Sequence, residues 1–259
     1  MTASGSPAPL AGRRVVVTRA AHQAEGLAAA FAAAGAAVER LPLLEVVPPA
    51  DRRPLERAAT ELPLYDWVVF TSANAVAALL GPAGGALPAR VHAAAVGSAT
   101  AAALRAWEVE PALVGGPDAA GLLAELAPRV GRRRRVLLPQ AADAAATLAE
   151  GLAAAGADAV AVTAYDKRLP PDAAAHAAAL FGAGPLGWVT FTSPRIARHF
   201  AALFGEDWEA RRATLRAASS GGVTTSALRG LGVEPAAEAG APSDDELVAA
   251  VVRAVYAAV

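Results

Sequence analysis

Trp67-Val68-Val69-Phe70-Thr71-Ser72 recurs as Trp188-Val189-Thr190-Phe191-Thr192-Ser193, 121 residues further on. Each copy opens on an apolar run without polar alternation, the pattern of a strand buried on both faces of a parallel sheet. Each ends in a Thr-Ser pair and runs on into a helical pattern, Ala75–Leu80 or Ile196–Phe204. The same offset carries Arg14-Val15-Val16-Val17 onto Arg135-Val136-Leu137-Leu138, and Leu27, Phe31 and Gly35 onto Leu148, Leu152 and Gly156. An offset of 124 carries Gly97-Ser98-Ala99-Thr100 onto Gly221-Gly222-Val223-Thr224, Leu104 onto Leu228, and Val109-Glu110-Pro111 onto Val233-Glu234-Pro235. Chance does not hold one register across five separated segments. Two homologous lobes imply a cleft between them, a common place for a ligand.

Within each copy a short β-branched run, Val15–Thr18 or Val136–Pro139, leads into a helix of period 3.6 that ends at Gly35 or Gly156, as a C′ residue does. A strand is expected next, around 38–47 or 160–165, then the Trp-Val strand, then Val91–Val96 or Leu215–Ser219 running into a glycine turn and helix. The last helix opens at Ser243 with Glu246 three residues on, a capping box, and its counterpart opens near Asp118. Strands alternating with helices give an α/β fold with a parallel sheet in each lobe. A tandem division near residue 131 accounts for the repeat. So does a crossed arrangement, in which the first strand and helix dock with the C-terminal half, and periodicity does not choose between them.

The 259 residues suffice for two domains, and 55% of them are hydrophobic, many being alanine. Alanine favours helix far more than it favours core burial, so the positive mean hydropathy is not membrane character. The longest stretch without Asp, Glu, Lys or Arg, Ala173–Pro194, holds His176, Pro185 and three glycines and reads as helix, turn and strand. Residues 1–12 lack a basic segment followed by an apolar one, so no secretory signal is expected there. The absence of cysteine excludes disulfides, thiolate metal sites and thiol catalysis, and fits a cytoplasmic protein. A net charge of −1 argues against general affinity for nucleic acid. The basic run Arg132-Arg133-Arg134-Arg135 reads as a solvated turn before a strand, or as a patch that attracts an anion.

The candidate functional segments share one structural place, the end of a parallel strand where a helix begins. Ligands bind outside the carboxyl ends of such strands, and helix N-termini offer free N–H groups and partial positive charge to carboxylates and phosphates. The segments are Thr18-Arg19, Thr71-Ser72-Ala73-Asn74, Gly97-Ser98-Ala99-Thr100, Thr192-Ser193-Pro194-Arg195 and Gly221-Gly222-Val223-Thr224. Taken singly, each reads as ordinary helix capping. Taken together they suggest a cleft lined by donors. There is no dinucleotide fingerprint after the first strand, no Walker A loop around Lys167, the only lysine, and no Gly-x-Ser-x-Gly elbow. His22, His92, His176 and His199 show no metal-ligand spacing, although His22 lies near Arg19. Tyr165, one of three tyrosines, closes a strand and offers a phenol that donates a hydrogen bond without carrying charge. A packed aromatic is the alternative.

The ordered set of Val17-Thr18-Arg19, Gly35, Leu41-Pro42-Leu43-Leu44, Phe70-Thr71-Ser72-Ala73-Asn74, Val96-Gly97-Ser98-Ala99-Thr100, Val136-Leu137-Leu138-Pro139, Gly156 with Tyr165, Phe191-Thr192-Ser193-Pro194 and Gly221–Leu228 resembles the uroporphyrinogen-III synthase family. The resemblance runs from about Arg13 to the C-terminus. It implies an α/β fold of two similar, flavodoxin-like parallel-sheet lobes joined by a two-stranded β ladder. Residues 1–40 and 167–259 would form one lobe and 46–160 the other, with linking strands at about 38–47 and 160–167. The implied reaction cyclises hydroxymethylbilane, a linear tetrapyrrole with eight carboxylates, with loss of water and inversion of ring D. No cofactor or metal is implied, and the chain would act as a cytoplasmic monomer with no nucleic-acid or membrane partner. The carry-over makes Tyr165 and Thr100 catalytic. It places Thr18, Arg19, Thr71, Ser72, Ala73, Asn74, Gly97, Ser98, Gln140, Ser193, Pro194, Arg195, Gly222 and Thr224 against the substrate. Gln140 departs from the family, which often has arginine after this proline, and Ser219-Ser220-Gly221-Gly222 is a more polar lead into the glycine turn. A non-enzymatic sensor of a tetrapyrrole or another polyanion is the competing reading.

Overall fold

A computed structural model describes residues 8–116, 118–182 and 184–257. Residues 1–7, part of the segment expected to carry no secretory signal, lie outside the described residues. The chain opens with β1 (Arg14–Val17), α1 (Ala24–Ala33), β2 (Ala37–Arg40) and β3 (Glu45–Val47). Next come α2 (Arg53–Thr60), β4 (Trp67–Phe70), α3 (Ala73–Leu80), β5 (His92–Val96), α4 (Gly97–Ala106), β6 (Leu113–Gly115) and α5 (Ala119–Val130). The second half carries β7 (Arg135–Ala141), α6 (Thr147–Ala154), β8 (Asp158–Arg168), α7 (Ala173–Phe181), β9 (Gly187–Phe191) and α8 (Pro194–Ala202). It closes with α9 (Trp208–Arg212), β10 (Leu215–Ser219), α10 (Gly222–Gly230), β11 (Ala237–Glu238) and α11 (Asp244–Tyr256).

The contacts divide the chain into two compact units, one made of the chain up to Glu45 with the chain from Arg168, the other of Val46–Lys167. In the first, five strands run in the order β11-β10-β9-β1-β2. Counted in chain order within that unit, this is the flavodoxin-like 2-1-3-4-5 arrangement, with its switch point between β1 and β9. Its ladders are parallel. Val15 and Val17 pack with Leu27 and Phe31 of α1 and Val251 of α11 on one face. Val16 packs with Phe181, Ile196, Phe200 and Leu228 on the other.

The second unit repeats this order by a circular permutation. Its sheet runs β3-β8-β7-β4-β5-β6. The 121-residue offset makes β7 the counterpart of β1 and β4 the counterpart of β9, so β7-β4 is its switch point. Val68 and Phe70 face α3 and α4 through Val76, Leu79 and Leu104. Trp67 and Val69 face α5 and α6 through Leu122, Leu126 and Leu152. All four residues of β4 are buried, as their unbroken apolar run requires.

The helix ends follow the local signals. Gly35 and Gly156 stand one residue past the C-caps of α1 and α6 at φ +92° and +91°, a conformation that costs any side chain. Ser243 Oγ accepts the Glu246 N–H at the start of α11, and Asp118 Oδ1 accepts the Gly121 N–H at the start of α5. The Glu246 carboxylate lies 3.9 Å from Arg253 Nη2.

One expectation is corrected. The segment 38–47, expected as one strand, is two, β2 and β3, which lie in different sheets. Pro42 has no N–H for a ladder. The Leu41 and Leu43 N–H groups turn instead to the carbonyls of Val17 and Thr18, and both leucine side chains are fully buried. His199 Nδ1 donates to the Leu43 carbonyl at 2.6 Å, which fixes the turn and gives this histidine a structural role.

Candidate active site

In the Val46–Lys167 unit, four expected segments meet at the carboxyl ends of four neighbouring strands. They are Tyr165 on β8, Gln140 on β7, Thr71 and Ser72 after β4, and Gly97 and Ser98 after β5. Ser72 is the N-cap of α3 because its extended backbone, φ −160°, lets Oγ accept the Ala75 N–H at 3.2 Å. The same oxygen lies 3.0 Å from the Tyr165 hydroxyl. Tyr165 pairs with Ala141 across a register shift between Gln140 and Ala141, and its carbonyl accepts the Ala142 N–H. Its ring therefore spans the end of β7 to reach Ser72 beyond β4. Tyr165 is 6% exposed as a residue, and its hydroxyl meets Ser72 in a partly buried contact.

Lys167 is a residue that sequence reasoning left unassigned. Its ammonium sits 5.6 Å from the centre of the Tyr165 ring and 3.5 Å from Asp143 Oδ1. The signal was present: residues two apart on a strand share a face, and 165 and 167 are such a pair.

In the other unit, Thr18 and Arg19 follow β1 while Thr192, Ser193, Pro194 and Arg195 follow β9, so the two segments lie at neighbouring strand ends. Ser193 repeats the cap of Ser72 and accepts the Ile196 N–H at 3.3 Å. Arg19 is held by Asp244, Nη1 to Oδ1 at 2.8 Å, which ties β1 to the start of α11.

Three expected hydroxyls face inward. Thr18 is fully buried and donates to the Thr190 carbonyl, while the Thr190 hydroxyl donates to the Val16 carbonyl across the same strand pair. Thr100 and Thr224, matched across the repeat, are each 4% exposed on the first turns of α4 and α10. At these three positions the residue as a whole is withdrawn from the surface. Ala73, Ser98 and Gly222 are exposed at the starts of their helices, and Asn74 is half-buried in the first turn of α3. The start of α10 differs from that of α4. Glu238 lines a pocket of about 360 Å³ with Gly221, Gly222 and Gly240, and its Oε2 accepts from Thr225 Oγ1 at 2.6 Å. The matched residue in the other unit is Val114, which brings no carboxylate to the α4 start.

The basic run lies at the other edge of its sheet. Arg135 begins β7, donates to Asp158 Oδ2 at 3.2 Å and covers the Tyr65 ring at 4.8 Å. Arg134 pairs with Asp66 Oδ1 at 2.6 Å. These arginines brace the amino ends of the strands, far from the carboxyl ends where Ser72 and Tyr165 meet. His92 is exposed with its ring 4.9 Å from that of Trp67, His176 is exposed on α7, and the His22 side chain lies outside the described residues. Among the described residues no group of three or more His, Cys, Asp or Glu could hold a metal ion, and no helix is long and apolar enough to cross a membrane.

The family model described as uroporphyrinogen-III synthase HemD matches residues 25–249. The uroporphyrinogen-III synthase of Synechococcus elongatus is 32% identical over 228 residues, covering 84% of this chain and 86% of that protein. Two solved structures share the fold. A mutant uroporphyrinogen III synthase from the extremely thermophilic bacterium Thermus thermophilus aligns with a TM-score of 0.63 at 21% identity, over 95% of this chain and 99% of that one. The uroporphyrinogen-III synthetase of Helicobacter pylori aligns with a TM-score of 0.63 at 20% identity, over 93% and 99%. With the permuted pair of flavodoxin-like sheets and the hydroxyl-lined strand ends already described, these matches place the chain in the uroporphyrinogen-III synthase family, enzymes that cyclise hydroxymethylbilane in a lyase-type reaction.

Proposed function

We propose that this chain converts hydroxymethylbilane to uroporphyrinogen III with Tyr165 as the general acid and Ser72 as its partner. The observation that carries the assignment is the 3.0 Å contact between the two hydroxyls, at the carboxyl edge of the sheet and largely out of water. A serine hydroxyl has one proton and two lone pairs. Ser72 Oγ already accepts the Ala75 N–H. If it also accepts the phenol proton, its own proton is free for the substrate. If it donates to the phenol oxygen, the phenol proton is free. In the second arrangement the phenol proton joins the departing hydroxyl as the hydroxymethyl C–O bond breaks, and water leaves. The carbon–carbon bond that closes the ring releases one proton from the ring-D carbon, which restores the phenol. The net change is loss of one water, and no redox partner is required.

The substrate is labile and closes unaided to the symmetric isomer I. The protein's task is then to hold one geometry in which ring D inverts, which is catalysis by orientation. The exposed backbone at the starts of α3 and α4, with Asn74, Ser98 and Gln140, would receive carboxylates through N–H and amide donors. Thr71 closes the same strand end. Arg19, Ser193, Pro194, Arg195 and Gly222 would do so from the other unit. Thr18, Thr100 and Thr224 would contribute by setting the shape of their turns. Glu238 makes the α10 start the least welcoming of these to an anion. We further propose a cytoplasmic monomer that needs no cofactor, nucleic acid or membrane, a reading supported by the cysteine-free composition and the family's reaction.

The test is to supply hydroxymethylbilane, oxidise the products and separate the isomers by chromatography. Isomer III should dominate. Isomer I alone, at the uncatalysed rate, would reject the proposal. Light scattering on the same sample tests the monomer.

A further inference from the structure

The Val46–Lys167 unit contains a pocket of about 420 Å³ directly beside the proposed acid, lined by Tyr165 and Asn74 at one end. That volume lies at the lower end of the range for small-molecule sites, about 300–1,000 Å³, and suits one ring of a tetrapyrrole rather than four. Its walls are mostly apolar, from Val46, Val47, Pro48 and Ala164. Ala77 and Ala78 of α3 contribute only methyl groups, and that keeps the space open.

Its polar groups are few and of two kinds. Arg52 and Glu56, four residues apart at the start of α2, both line it and both are exposed. Asn74 adds an amide in the first turn of α3, where the helix dipole is positive. A flat apolar ring with an N–H donor and an acidic side chain satisfies all of them. The ring would lie against the valine and proline wall, the N–H would meet Glu56, and the carboxylate would meet Arg52 and Asn74. We infer that this pocket is the seat of one pyrrole ring of the substrate, held beside Tyr165. The inference rests on the synthase reading and adds the residues that would select and orient that ring.

The experiment uses the full chain and a monopyrrole carrying one acetic and one propionic acid side chain as probe. Calorimetric titration should show binding to the wild type. Ala77→Leu, at an exposed helical position, places a larger side chain in the pocket and should weaken probe binding about tenfold or more, the usual scale for filling or emptying an apolar site. With hydroxymethylbilane the same variant should raise KM by a similar factor while kcat changes little. Arg52→Gln, a change at an exposed residue that leaves the apolar walls intact, should weaken the probe severalfold and so keeps the idea testable if Ala77→Leu fails to fold. Wild type that does not bind the probe, or variants that bind it as wild type does, would overturn the assignment. A wild type that binds the probe in this pocket yet makes only isomer I would reject the synthase reading and leave the pocket standing.

Discussion

The Ser72 and Tyr165 hydroxyls lie 3.0 Å apart although their residues are 93 positions apart in the chain. One is a helix cap and the other an aromatic two strands away. Tyr165→Phe removes only the phenol oxygen. It should lower kcat by about a hundredfold or more, the usual range for loss of a general acid. Stability should fall by only about 1 kcal/mol, for one hydrogen bond. Steady-state rates beside thermal unfolding would decide, and unchanged turnover removes Tyr165 from the acid role.

Ser72 and Ser193 are matched caps, and Ser72 also meets the Tyr165 hydroxyl within its own unit. Ser72→Ala and Ser193→Ala should each cost about 1 kcal/mol of stability through the lost cap. Their effects on rate should differ, with kcat falling further in Ser72→Ala. Ser72→Gly keeps most of the capping energy and should still lose rate. Equal rates in the two alanine variants would reduce Ser72 to a cap.

Gln140 stands at the register shift of β7, beside the Ser72 strand end. Gln140→Arg would put a charged, bidentate carboxylate partner there. KM for hydroxymethylbilane should fall a few-fold, and the gain should shrink as salt is added. A KM that rises, or that ignores salt, would mean that no carboxylate comes to this position.

The repeat preserves an ion pair that no motif announced. Arg105 holds Glu110 through Nε and Nη2 at 2.9 and 2.8 Å, and Arg229 holds Glu234 through the same atoms at 2.9 and 2.7 Å. The hydrogen bonds from each arginine hold the carboxyls of Glu110 and Glu234 below their ordinary value. A carboxyl depressed in the folded state stabilises the fold above its unfolded pKa, and that contribution disappears as pH falls through the folded value. Both glutamates should therefore titrate in NMR below ordinary glutamate. Arg105→Gln and Arg229→Gln should return Glu110 and Glu234, respectively, toward the ordinary range.

Gly156, at φ +91°, should resist substitution. Gly156→Ala forces a side chain into the left-handed region and should cost about 1–2 kcal/mol, read from denaturant unfolding. A stability equal to wild type would show that the turn after α6 has another conformation open to it.

Much of the fold was legible because strong signals were local. The apolar run of β4, the glycines at 35 and 156, and the caps at Ser72, Ser193 and Ser243 each act within one helical turn or one strand. The strand-end segments were legible for the same reason, since Thr-Ser before an amphipathic run is itself a cap. What sequence missed depended on distance or on a break in pattern. The segment 38–47 has strand-like residues throughout, yet Pro42 and the burial of Leu41 and Leu43 divide it. Thr18, Thr100 and Thr224 read as open hydroxyls because a sequence does not state which way a side chain on a short turn points. Arg19 was placed against the substrate without its ion-pair partner, because Asp244 lies 225 residues away.

The sequence by itself determined that there are two copies of one α/β unit, where their strands and helices begin, and that polar groups collect at the strand ends. Its periodicity did not choose which strand lies beside which, and the crossed arrangement was preferred only through the family resemblance. β4 and β9 carry nearly the same apolar residues, as do the first four positions of β1 and β7, so each of β1 and β7 matches either partner in hydrophobicity. Only the tertiary structure paired β1 with β9 and β7 with β4. The physical reason is that strand pairing is a long-range choice among chemically equivalent edges. It is decided by how the whole chain packs helices on both faces of both sheets. That packing carried Tyr165 across β7 to Ser72 and turned a cap and a buried ring into a candidate site.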